Sequence, residues 1–390
     1  MRTRAAPGWL LLTALSLSAC VTSLPPIPLD GRVVEPEPGE RALWADAGRE
    51  ADALLRRVRR YEDPALGAYV LTLAAGGDRL GGGPELRVEI VSDPTLNAFA
   101  LPDGRLIVHT GLLAAVESPD ALALVLGREI AHVTHRHALG EAPAAPAAPP
   151  EGGALGPVAA AIVGLRLPLA STAAITGYAG AREREADAVA LDRLRAAGWD
   201  AAAAATVYAG LARDADERGP LETFLLGRAA WLHDRNASLR RRLAEAPPAA
   251  PTRGREDFDA RLRPVVRDNA AEDVRLGRFT LARQALDRVL AAAPDDALAH
   301  VHYGDLHRLQ AQRAGAPAVR QAQVELARAR YARAVELDPA LAAPHRQLGL
   351  LHYERRELAE ARAELERYLA LAPGAPDAAR VAEYVRALAR

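Results

Sequence analysis

Beyond residue 262 the chain repeats itself, and this repetition limits its possible folds more than any other feature. Pro294, Pro339 and Pro373 each follow an Ala- and Leu-rich stretch. Twelve residues before each proline stands an alanine: Ala282, Ala327 and Ala361. Eight before stands a large residue: Leu286, Tyr331 and Leu365. Leu348-Gly349 lies thirteen and twelve residues before Ala361. Tyr303-Gly304 supplies the same slot in the middle unit, with about eleven extra residues before Ala327. Small residues let paired helices approach, and the proline ends the second helix of each pair. One such unit buries too little apolar surface to stand alone, so this half is expected to be an all-α stack.

The spacing resembles the tetratricopeptide repeat, a helix-turn-helix unit of about 34 residues; a generic helical bundle is the alternative. Three units are expected over 263–376, then a capping helix Ala378–Arg390, so that 263–390 forms one solenoid. Such arrays present concave surfaces to peptides or partner proteins.

The other end of the chain has a different logic. Arg2 and Arg4 precede an apolar run from Trp9 to Leu17, too short to span a bilayer core of ~30 Å. The run ends Leu17-Ser18-Ala19-Cys20, and Cys20 is the one cysteine of the sequence. Intramolecular disulfides and four-cysteine zinc sites are thereby excluded. The segment resembles a bacterial lipobox, which implies a signal peptide over 1–20 and lipid on Cys20. Val21 follows rather than Asp. By the same resemblance this favours the periplasmic face of the outer membrane. Residues 21–39 are Pro-rich and are expected to form an extended tether.

Between these ends, 40–245 is read as one domain and 246–262 as a linker. Leu43, Trp44, Ala47, Ala51, Leu54, Leu55 and Val58 recur at helical spacing. Leu86–Val91 alternates like a strand, and Arg105–His109 follows an Asp-Gly turn as another. Ser118-Pro-Asp opens a helix expected to run to about Ala138. Residues 140–156 are expected to be a mobile loop, and the apolar 157–177 a buried or amphipathic segment. Ala181–Ala197 is another expected helix, closed by Gly198. With 49 basic against 50 acidic residues, no net positive field draws nucleic acid, and none is expected as a partner.

The chemistry concentrates in Gly127-Arg-Glu-Ile-Ala-His132. In His-Glu-x-x-His, two imidazoles on one helix face bind zinc and the Glu acts as general base toward metal-bound water. Here Glu129 and His132 keep their positions, and Arg128 stands where the first His would be. About 50 residues on comes Glu183-Arg-Glu-Ala-Asp187, followed by Ala196-Ala-Gly-Trp-Asp200. Asn97-Ala-Phe-Ala-Leu-Pro-Asp-Gly104 and Thr110-Gly-Leu-Leu113 precede the motif. Together these resemble the M48 family of zinc metallopeptidases over roughly 40–245. Periplasmic members that guard outer-membrane quality also carry C-terminal tetratricopeptide repeats.

The resemblance implies an α+β fold: a mostly helical zincin-like domain with a small β-sheet, then the all-α solenoid. It implies Glu129 as general base, His132 and Glu183 as zinc ligands, and Asp187 as the carboxylate that orients a metal-bound His. It suggests His233 as a further ligand, although Asp234 follows it where some relatives have Pro. His135 and His137 are expected to be solvated or satisfied in the core. The strand Asn97, Ala98, Phe99, Ala100 resembles an edge on which a substrate adds as a further strand.

Arg128 alters the expectation. Its guanidinium stays protonated and offers no lone pair to zinc. It is expected instead to serve as countercharge to Glu183 or Asp187. The leading expectation is a lipid-anchored envelope protein that binds unfolded or assembling envelope proteins, with hydrolysis lost or weakened, and with zinc as cofactor if active and none otherwise. The alternative is an active zinc metalloendopeptidase using His132 and Glu183, with or without His233. A third reading is a scaffold working through the repeats alone.

Overall fold

The computed structural model describes residues 25–28, 30, 32–75, 83–139, 180–205, 207–218, 237–239, 241–243 and 254–389. Cys20, the loop 140–156, the apolar segment 157–177 and His233 lie outside the described residues.

Helices α1 (Glu40–Leu55) and α2 (Pro64–Ala75) lead into strands β1 (Arg87–Val91), β2 (Ala98–Ala100) and β3 (Arg105–His109). These strands form one sheet in the order β1-β3-β2. β1 runs parallel to β3, Arg87 opposite Arg105, and β2 runs antiparallel to β3, Phe99 opposite Ile107. Gly104 turns the chain into β3 at φ 86°, and a Cβ there would lie 2.5 Å from the Glu85 carbonyl oxygen.

The period of two along β3 divides the core. Ile107 points with Val91, Phe99 and Leu101 toward Ala51, Leu54 and Val58 of α1 and the turn after it. Leu106 and Val108 point the other way, into the larger cluster that holds α2 and the helices after the sheet. Each buried aliphatic side chain contributes about 1.5–3 kcal/mol, so a one-residue slip of β3 would forfeit both faces together.

β2 is an edge strand. Asn97 accepts from the His109 amide at 3.0 Å, and the Leu101 amide donates to the Arg105 carbonyl at 2.8 Å. The main-chain groups of Ala98 and Ala100 therefore point away from β3.

A short helix α3 (Thr110–Ala115) follows, then α4 (Pro119–Thr134), which is buried along nearly its whole length. Ser118 caps α4, its hydroxyl accepting from the Ala121 amide at 3.1 Å, and Pro119 opens the first turn. Ser118→Ala is expected to cost about 1 kcal/mol, read as a shift in the urea midpoint at constant slope. The helix ends at Thr134 rather than near Ala138. Arg136, at φ 54°, breaks it, and a single 3-10 turn, His137–Leu139, completes the segment.

Helices α5 (Gly180–Ala196), α6 (Ala201–Ala205) and α7 (Val207–Arg218) follow. α5 lies beside α4, closely enough that a Cβ on Gly127 would touch Ala190. Gly198 closes α5 in the left-handed region at φ 75°.

The remaining helices are α8 (Arg255–Leu276), α9 (Phe279–Ala292), α10 (Ala297–Arg313), α11 (Pro317–Leu337), α12 (Ala342–Glu354), α13 (Leu358–Leu371) and α14 (Ala378–Leu388). Each packs on its neighbours in sequence. Ala282, Leu286, Ala327, Tyr331, Ala361 and Leu365, the residues picked out by the spacing to proline, are all fully buried. Gly304 seats the Tyr331 ring and Gly349 the Leu365 side chain, each where a Cβ would collide.

Two expectations about connecting segments need correction. The stretch 246–262, expected to be a linker, is helical from Arg255, and Phe258 and Leu262 are buried in the main core. Phe258, Leu262, Val265 and Val266 form one helical face, which outweighs the polar composition around them. Residues 21–39 are not free throughout. Ile27 is buried, and its amide donates to the Thr134 carbonyl at 2.8 Å.

No described helix is long and apolar enough to cross a membrane.

Candidate functional site

α4 and α5 lie side by side, and spacing by four places the polar residues of each on one face. α4 contributes Arg128 and His132, with Glu129 next to Arg128; α5 contributes Glu183 and Asp187. The structure brings these five together. Arg128 donates to Glu183 Oε2 twice, from Nη2 at 2.6 Å and from Nε at 3.1 Å. Its Nη1 donates to Glu129 Oε1, and Asp187 Oδ1 lies 3.8 Å from Nε. One guanidinium thus faces three carboxylates.

The surroundings are nearly dry. The side chain of Glu183 is 0% exposed, that of Glu129 5% and that of Arg128 15%. Burial opposes the charge on Arg128, but Glu129, Glu183, Tyr208 and Asp187 outweigh it and hold its pKa well above the ordinary value. The cation is permanent, and Glu129 is held by it.

His132 faces two ways. Its Nε2 is 3.5 Å from Glu183 Oε2, and its Nδ1 meets Nδ1 of His137 at 2.7 Å. One imidazole of the pair must donate and the other accept. Burial first, then neighbouring His132, Arg182 and His135, push His137 down to about 3, so it is neutral near pH 7. Arg182 donates to the His137 carbonyl. His135 hydrogen-bonds locally to the Thr134 hydroxyl at 3.1 Å and the Ala131 carbonyl at 3.2 Å.

One neighbour carries no signal in the sequence. Tyr208 on α7 donates to Asp187 Oδ1 at 3.3 Å. The Asp200 amide donates to Asp120 Oδ1 at 2.8 Å, joining the end of α5 to the start of α4. Tyr208 stands 21 residues from Asp187 in an Ala-rich stretch, where no motif marks it. His137 carried the one usable signal, a third His within five residues of His132.

The family model described as Peptidase family M48 matches residues 63–314, which include the sheet, α4, α5 and the helices through α10. The chain belongs to peptidase family M48. Over 259 residues, 61% of this chain and 53% of the relative, it is 29% identical to a putative beta-barrel assembly-enhancing protease of Vibrio cholerae. It is 32% identical over 124 residues to the beta-barrel assembly-enhancing protease of Escherichia coli, 28% of this chain and 25% of that one. The mitochondrial metalloendopeptidase OMA1 of Bos taurus is 44% identical over 101 residues, 25% of this chain and 19% of that protein. These matches span from about a fifth to about half of the relatives' own lengths.

M48 peptidases use zinc. A catalytic zinc takes three protein donors converging at about 2.0–2.2 Å, with a water completing the site. Here Glu183 is held by a guanidinium at 2.6 Å and His132 Nδ1 by His137. Among the described residues no group of three His, Cys, Asp or Glu side chains could hold a metal. The described residues do not fit zinc: a fixed +1 charge stands where the first ligand belongs.

Proposed function

We propose that this chain is an M48-family lipoprotein of the bacterial envelope that binds unfolded or assembling envelope proteins, with peptide-bond hydrolysis lost or weakened. The seat of Arg128 carries this reading. Hydrolysis in this fold needs a Lewis acid to lower the pKa of water and a free carboxylate to take its proton. Arg128 supplies a cation that can coordinate nothing, and it holds Glu129 as well.

Polypeptide binding does not depend on the metal. The Ala98–Ala100 edge points main-chain groups away from its neighbour, as strand addition requires. Past residue 262 the proposal assigns a tetratricopeptide solenoid over 263–390, supported by the burial of Ala282, Ala327 and Ala361 at their fixed distance from proline. Such an array offers a second surface to a client or partner protein. Location rests on the Leu17–Cys20 lipobox, with lipid on Cys20 at the periplasmic face of the outer membrane. The relatives named beta-barrel assembly-enhancing proteases support a client class of envelope proteins.

Metal content with and without Arg128→His tests the reading. The unsubstituted protein is expected to purify without stoichiometric zinc and to leave casein intact. Arg128→His removes the fixed charge, frees Glu129 and restores the motif, so it should take up zinc. One zinc per chain in the unsubstituted protein, with chelator-sensitive cleavage of casein, would overturn the proposal in favour of an active enzyme.

A further inference from the structure

The segment just after the lipid attachment point does not hang free. Ile27 is 3% exposed, its amide donates to the Thr134 carbonyl at 2.8 Å, and Arg136 Nη1 donates to the Pro25 carbonyl at 3.0 Å. The seat itself is fixed. Arg136 Nε lies 3.1 Å from Glu40 Oε1, both side chains are buried, and Glu40 Oε2 accepts from the Glu37 amide at 2.8 Å. Thr134 is the last residue of α4, the helix that carries Arg128, Glu129 and His132. Beside this seat lies a cavity of about 20 Å³ lined by Trp44, Ala100, His132, Arg136 and Leu139.

Chain length then decides where the body sits. Nineteen free residues, 21–39, could reach ~65 Å when extended, far enough to hold the domain clear of a bilayer. With Pro25 docked, four residues, 21–24, separate Cys20 from the folded body, and the five Cα–Cα steps reach at most ~18 Å.

We propose that the docked segment Pro25–Pro28 holds the C-terminal end of α4, and the cavity beside His132, against the surface of the lipid bilayer that anchors Cys20. This rests on the lipid anchor given under the proposed function. The surface around Leu139, 37% exposed in the 3-10 turn, then faces the headgroups. A client strand reaching Ala100 and His132 enters along the membrane rather than from open solvent.

The test uses the full acylated chain in phospholipid vesicles that carry a headgroup quencher. A fluorophore is placed at Leu139→Cys; lipid occupies the thiol of Cys20. Strong quenching at position 139 is expected. Inserting about twenty Gly/Ser residues after Thr22 leaves the seat intact and adds ~25 Å of flexible leash, so quenching should fall about threefold. Ile27→Asp puts a carboxylate in place of a buried aliphatic side chain and should lower quenching by a similar factor while the chain still pellets with vesicles. Ile27→Ala probes the same seat with a milder change and should act in the same direction. Quenching that neither the insertion nor the Ile27 variants alter, in a chain that pellets, overturns the proposal and leaves the anchor standing. A chain that remains in the supernatant removes the anchor, and the proposal with it.

Discussion

Arg128→Met is expected to destabilise the protein by about 3–5 kcal/mol, because it leaves Glu183 buried and charged with its cation gone. For a domain of this size each kcal/mol moves Tm by roughly 2–4 °C, so calorimetry should register a fall on the order of 10 °C. Adding Glu183→Gln to that variant removes the orphaned charge and should restore much of the loss. The double-mutant cycle separates this pair from mere loss of packing. If Arg128→Met melts with the parent, the guanidinium does not neutralise the site and the argument from Arg128 fails. Zinc gives a sharper contrast. Added zinc should raise the Tm of Arg128→His and leave that of Arg128→Met unchanged, since Met adds no hard donor beside Glu183.

Tyr331→Ala should be comparably costly but differently distributed. The ring is fully buried against Gly304, and its hydroxyl donates to Asp305 Oδ1 at 2.8 Å. The same oxygen accepts from Gln347 Nε2 at 2.9 Å, so one carboxylate ties α10, α11 and α12 together. Removing a buried aromatic ring costs about 3–5 kcal/mol, and Gly304, on which the ring packs, has no side chain to fill the space. Tyr331 belongs to a cluster with Val301, Ala327, Ala334, Leu348 and Leu351, separate from the cluster around the sheet. Hydrogen exchange should therefore show protection lost in α10–α12 and kept in α4. Equal loss in α4 would show that the repeats and the sheet open as one unit.

Local signals explain what the sequence made legible. Ser118-Pro-Asp marked the start of α4 because a cap, a first-turn proline and an N-terminal carboxylate each act within four residues. The strand at 87–91 showed through alternation, and that at 105–109 through the Asp-Gly turn before it. Ala327 and Tyr331 were legible as buried positions because they stand four apart, on one face of α11. The spacing of Arg128 to His132 and of Glu183 to Asp187 placed those pairs on two helix faces. That the faces meet is a tertiary fact, supplied at the sequence level by resemblance.

The misses have the opposite character. Pro- and Ala-rich composition at 246–262 hid a helix whose register is set by Phe258, Leu262 and Val265. Composition averages over a window, whereas burial selects a face. Ile27 stood among prolines in an expected tether, and its partner Thr134 lies over a hundred residues away. Tyr208 serves Asp187 through a contact that no local spacing encodes.

The core does not stop where the repeats begin. Phe258, Leu262, Val265, Leu286 and Leu306 share one cluster with Leu106 and Val108 of the sheet. Tyr61 donates to Asp268 at 3.1 Å across the same boundary, and Arg59 reaches Glu272 at 3.1 Å. This has a consequence for how such a protein can evolve. The first helices of the array cannot be exchanged as a cassette, because a transplanted set would lack the apolar face that α3 packs on and would strand buried polar groups. New binding preferences must arise further out, from α11 onward, where the clusters are independent and a repeat can be replaced without reopening the peptidase core.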